Sequence, residues 1–110
     1  MALSHAISGQ AIDLRPLGAD FSTAQTVALV KSQDIELVRM VLPEGKTVPP
    51  HTVPGDFTLL CVEGEIEVAY GEGNVTVLKP CQLLYLAGGV PYGFAARQDS
   101  SALLTISLRR

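Results

Sequence analysis

The apolar residues of this chain fall into short runs of β-forming residues, each closed by turn formers, and no stretch carries a helical period. TVALVK (26–31) and IELVRMVL (35–42) flank Ser32-Gln33-Asp34 as a hairpin. TLLCVEG (58–64) leads into EIEVAY (65–70), where Ile66, Val68 and Tyr70 alternate with Glu65, Glu67 and Ala69. Between these two runs, Glu63-Gly64-Glu65 reads as a hairpin turn with solvated charges. Gly71-Glu72-Gly73-Asn74 offers positive-φ positions for a turn into VTVLKP (75–80). CQLLYLAGG (81–89), VPYGFAA (90–96) and SALLTISL (101–108) complete the set. Roughly eight or nine strands at this spacing predict an all-β sandwich or barrel. Residues 1–10 read as a frayed end, although ISGQAIDLRPL could add a strand. N-terminal strands are therefore expected within 10–31, ahead of a barrel core at about 35–108.

A chain of 110 residues without repeat or linker is expected to form one domain, 1–110. Only 17% of its residues are charged, and IELVRMVL and SALLTISL are apolar on both faces. Strands of that kind need cover on two sides, and for so small a chain the expected cover is a second copy, a homodimer. A net charge of −3 leaves no basic face for nucleic acid. No apolar run approaches the roughly 20 residues that span a bilayer. MALSHAISGQ lacks the charged and apolar regions of a secretion signal, so cytoplasm is the expected compartment. Cys61 and Cys81 are then expected as free thiols.

Residues 45–64, GKTVPPHTVPGDFTLLCVEG, hold one of the two histidines. Gly45-Lys46-Thr47 mimics the tail of a phosphate loop, but the leading glycine would fall on Met40 inside a strand, and no helix follows. The stretch instead resembles the first motif of the cupin superfamily: glycine, five residues, His-x-His, three or four residues, Glu, six residues, glycine. Gly45, His51 and Gly64 match, while Val53 and Phe57 stand at the second His and the Glu. CQLLYLAGGVPYGFAA matches the spacing of the second motif and keeps Gly89 and Pro91. Cys81 stands there for its first glycine, Ala87 for a proline, Tyr92 for the histidine and Ala96 for the asparagine.

The resemblance implies a double-stranded β-helix or jelly roll. Cupins with this pattern hold a divalent ion on two histidines, the Glu and the second-motif histidine. Of those four ligands the chain keeps only His51, and a first-row ion needs at least three donors. No metal and no cofactor is therefore expected. By alternation Cys61 shares a side with Phe57, so a His51/Cys61 pair with Tyr92 is the one conceivable substitute cage.

On the implied fold, the metal position becomes a ligand pocket of His51, Val53, Phe57, Leu59, Cys61 and Tyr92. His51 could instead simply hydrogen-bond Tyr92 or a backbone carbonyl. Tyr92, Phe57, Leu59 and Cys61 are also ordinary core residues. Arg39, set among apolar neighbours, could anchor an anion in the pocket or lie on a dimer surface. Pro49-Pro50 and Val53-Pro54-Gly55-Asp56 read as a loop beside the pocket mouth. Three functions follow. The first is metal-free binding of a small, partly apolar molecule. The second is a metal-independent isomerase, epimerase or lyase with His51 as base, Tyr92 as acid and Asp56 as the only nearby carboxylate. The third is a metal-dependent oxygenase with atypical ligands.

Overall fold

Strict alternation decides which side chains meet. In FTLLCVE, Phe57, Leu59 and Cys61 are buried, while Thr58, Leu60 and Val62 turn the other way. Ile66 and Val68, then Tyr92, Phe94 and Ala96, and finally Ala102 and Leu104 repeat the pattern on other strands. The computed structural model describes residues 5–109; residues 1–4 and 110, spanned by the one-domain expectation, lie outside them.

Among the described residues the strands are β1 (Val27–Lys31), β2 (Ile35–Leu42), β3 (Thr47–His51), β4 (Phe57–Glu63), β5 (Ile66–Tyr70), β6 (Asn74–Leu78), β7 (Leu83–Leu86), β8 (Tyr92–Ala96) and β9 (Ser100–Ser107). They form two antiparallel sheets, β1-β2-β9-β4-β7 and β3-β8-β5-β6. One apolar cluster fills the space between them, the all-β jelly roll that the strand spacing predicts. No helix of the described residues is long and apolar enough to cross a membrane.

Two elements differ from the sequence reading. Pro49 and Pro50 are part of a strand, not of a loop. β3 is an edge strand, where a residue without an N–H costs no ladder bond, and its register slips between Val48 and His51. That slip sets His51 opposite Tyr92.

The N-terminal strands expected within 10–31 reduce to β1 alone. Gly18–Thr23 is a 3-10 turn, and the segment before it runs irregularly over the outer face of the five-stranded sheet. Its backbone donors explain why. Ala6 N–H donates to the Leu29 carbonyl at 2.7 Å. Leu17 and Gly18 N–H donate to the Glu63 carboxylate at 2.7 and 3.2 Å, and the Ser101 hydroxyl donates to it at 2.7 Å. Glu63 is therefore a clamp and not a solvated turn charge. Burial alone would raise its pKa, but the hydrogen bonds from Ser101, Leu17 and Gly18 outweigh that and hold it below the ordinary value. Part of the cover that the two-sided apolar strands require thus comes from the chain's own N-terminal segment.

The turn into β7 carries a local strain. Gln82 N–H donates to the Lys79 carbonyl at 3.0 Å, Cys81 N–H to the Cys61 carbonyl at 2.8 Å, and Cys61 N–H to the Gln82 carbonyl at 3.0 Å. Two residues thus oppose one, a bulge whose first position is left-handed and normally glycine. Cys81 takes it with φ 69°, the only positive φ among the described non-glycine residues. Left-handed backbone costs a side chain about 1–2 kcal/mol, partly offset by glycine's larger unfolded-state entropy. Cys81→Gly is expected to stabilise the fold by about 0.5–1 kcal/mol in urea unfolding; a loss of stability would contradict the bulge assignment.

Candidate functional site

One end of the barrel is closed by matching rows from the two sheets. In the four-stranded sheet, register aligns His51, Tyr92, Tyr70 and Asn74. In the five-stranded sheet, Glu36, Ile106, Phe57 and Leu86 align. Directly paired residues share a face, and Tyr92, Phe57 and Leu86 belong to the core, so both rows turn inward.

Tyr92 joins the rows. Its ring centroid lies 4.4 Å from that of His51 and 4.3 Å from that of Phe57, tilted at 46° and 38°. Phe94 stacks below it at 5.9 Å. The first two separations sit at the lower edge of the range in which offset aromatic pairs attract, and the third lies within it. Tyr92 is 2% exposed, and burial pushes its phenol pKa above the ordinary value. His51 is exposed, with Nδ1 3.1 Å from the Pro49 carbonyl. A carbonyl only accepts, so this bond requires a proton on Nδ1 and leaves Nε2 of the neutral ring as an acceptor.

The expected pocket residues are therefore brought together only in part. Phe57, Leu59, Cys61 and Tyr92 pack into the core at 0–3% exposure, with Val53 against them. The expected cavity is instead a packed aromatic and aliphatic plug, with His51 at its rim. Arg39 is not in it. Val38 and Met40 of β2 pack on the core, so alternation turns Arg39 to the outer face, where it meets the N-terminal segment. Asp56 does not orient His51 either, because it accepts from the Tyr85 hydroxyl at 3.1 Å and the Gly88 N–H at 2.9 Å. Tyr70, Asn74 and Glu36 were not singled out from the sequence. The parity of EIEVAY already places Tyr70 beside Val68, but only strand register places Asn74 and Glu36.

The donor set does not fit a metal ion. Val53 and Phe57 offer no ligand atom, and burial keeps the phenol of Tyr92 protonated. Cys61 lies four residues beyond Phe57, about 13 Å along the strand. Its thiol donates to the Glu63 carbonyl at 3.5 Å, and burial, followed by Cys81 and nearby glutamates, pushes its pKa up to about 11. The His51/Cys61 cage is therefore geometrically excluded. Among the described residues no group of three or more His, Cys, Asp or Glu is placed to hold a metal.

No protein-family model matches the chain, and no curated protein matches it in sequence. Solved structures do match in shape. KdgF from Halomonas sp. is 24% identical, with a TM-score of 0.71, over 77% of this chain and 78% of that one. A cupin superfamily protein from Desulfitobacterium hafniense is 16% identical over 99% of this chain and 100% of its own, with a TM-score of 0.77. An RmlC-like cupin family protein with a double-stranded β-helix fold, from Methanocaldococcus jannaschii, is 18% identical over 76% and 80%, with a TM-score of 0.66. The chain has the cupin fold.

Proposed function

We propose that this cupin-fold chain binds a small, planar, uncharged molecule without a metal, at the barrel end lined by His51, Tyr92, Tyr70 and Asn74. The observation that carries the reading is Tyr92: a ring held between the exposed His51 and the buried Phe57. An apolar wall with a few convergent polar groups is the usual make-up of a small-molecule site. His51 Nε2 accepts and the Tyr92 phenol donates, so a ligand bearing a hydroxyl or carbonyl on an apolar frame is matched. Glu36, in the inward row of the facing sheet, is paired with its neighbour Lys31 at 3.8 Å, so that row presents no free cation to an anion.

Acid–base catalysis with His51 and Tyr92 gains less support. Among the described residues no carboxylate holds the imidazole, and a phenol with a raised pKa is a weaker acid. The oxygenase reading lacks a fitting donor set.

The test is a titration with small aromatic aldehydes and ketones, followed by the His51 ring signals in NMR. Binding should saturate, and weaken about three- to tenfold in His51→Ala and in Tyr92→Phe, as for loss of one hydrogen bond. Saturable binding untouched by both substitutions would place the ligand elsewhere and overturn the reading.

We also propose that the chain works as a homodimer. Leu83 and Tyr85 on the edge strand β7 are 61% and 59% exposed, and Ile35 is 41% exposed. Apolar clefts of about 430 and 180 Å³ flank this ridge, the first lined by Leu14, Pro16, Leu60 and Val62, the second by Ile35, Thr58 and Thr105. Apart from Asp56, which lines the second hollow and accepts from the Tyr85 hydroxyl, the ridge and its hollows carry no charge, and they suit a two-fold contact with a second copy. Sedimentation should find a dimer at micromolar concentration and a monomer for Leu83→Glu. A monomeric parent protein would refute it.

A further inference from the structure

Arg39 has no role in the barrel-end site, and its surroundings are unusual. Each of the other described arginines meets a carboxylate: Arg15 meets Asp13, Arg97 meets Glu65 and Glu67, and Arg109 meets Asp34. Arg39 meets none among the described residues. Its Nη1 donates to the Asp13 carbonyl at 3.5 Å, at the limit of a hydrogen bond. Its Nε is closed off from solvent and is the one buried side-chain nitrogen or oxygen without a partner among the described residues. A buried guanidinium donor left unpaired costs more than a neutral one, so it marks a group that still needs an acceptor.

Arg39 lines a cleft of about 290 Å³ between the N-terminal segment and β1, together with Gln10, Ile12, Asp13, Val27 and Leu29, with alanines between them. Two charged residues line it, and the Asp13 carboxylate is already forked by Arg15 Nε at 3.1 and 2.9 Å. A second cleft beside it adds Arg15 and Asp20. Gln10, which also lines the cleft, accepts from Ile7 N–H through Oε1, which leaves its amide N–H₂ as a donor without a protein partner among the described residues. The remaining wall is aliphatic. We propose that this cleft binds a short aliphatic carboxylate, its head on the Nε–Nη edge of Arg39 and its chain against Ile12, Val27 and Leu29. A carboxylate can accept two parallel, charge-assisted bonds from that edge. Access comes from the arch of residues 10–13. Between its anchors at Ala6 and at Leu17–Gly18, the long Arg39 bond is the contact that ties it to the sheet.

The site lies on the outer face of the five-stranded sheet, whereas His51 and Tyr92 belong to the four-stranded sheet, so its test is independent of theirs. Butyrate is titrated into the full chain while the Arg39 Nε–H signal and the amides of residues 10–13 are followed by NMR. The expected result is a saturable shift of both sets, weakened at least about tenfold in Arg39→Gln, as for loss of a charge-assisted pair. Gln10→Glu, on the exposed segment, adds a negative charge to the lining of the same cleft and should weaken butyrate about threefold or more. No saturable shift, or equal binding in both variants, would overturn the proposal. Tighter binding of inorganic phosphate than of butyrate would overturn the role of the aliphatic wall. Loss of the dimer in Arg39→Gln, with no butyrate effect on the parent chain, would assign Arg39 to a partner carboxylate instead.

Discussion

The Tyr92 ring is the contact on which the barrel end depends. It begins β8, pairs with His51 across one ladder and Tyr70 across another, and rests on Phe57 of the facing sheet. Each contact needs the others. His51 reaches the ring because the Pro49-Pro50 edge strand slips its register, and Phe57 reaches it because β4 starts at the same level. An aromatic ring of this size buries enough apolar surface to contribute roughly 2–3 kcal/mol. A charged ion at the same level would need ligands that Val53 and Phe57 cannot supply. At this level the chain therefore holds a packed apolar contact, with no ligand atom from Val53 or Phe57.

Most of the scaffold was legible because its rules are local. Alternation in FTLLCVE, EIEVAY and YGFAA gives the inward residues directly. Gly45, Gly64 and Gly89, which carry the motif spacing, all adopt positive φ near 85°. The motif glycines thus mark turns that any side chain would strain, which is why the resemblance reached the fold even where the ligands were gone. Cys81 shows the same demand met by a residue ill suited to it.

What stayed hidden depends on groups far apart in sequence. Nothing near Glu63 announces that its carboxylate binds the backbone of Leu17 and Gly18, so the N-terminal segment read as strand material. Arg39 could be placed on either face until the parity of Val38 and Met40 was fixed by the core. Proline content argued against β3, because an edge position is a property of the whole sheet. The pocket residues show a related limit: spacing shows which side chains share a level, not whether their volumes leave room between them.

The central claim is that His51 and Tyr92 form a metal-free end of the barrel. Metal content of the purified, untagged protein, measured by mass spectrometry beside His51→Ala, tests it most directly. The account predicts no stoichiometric metal in either protein. One bound ion per chain, lost in His51→Ala, would contradict it and return the barrel end to metal chemistry.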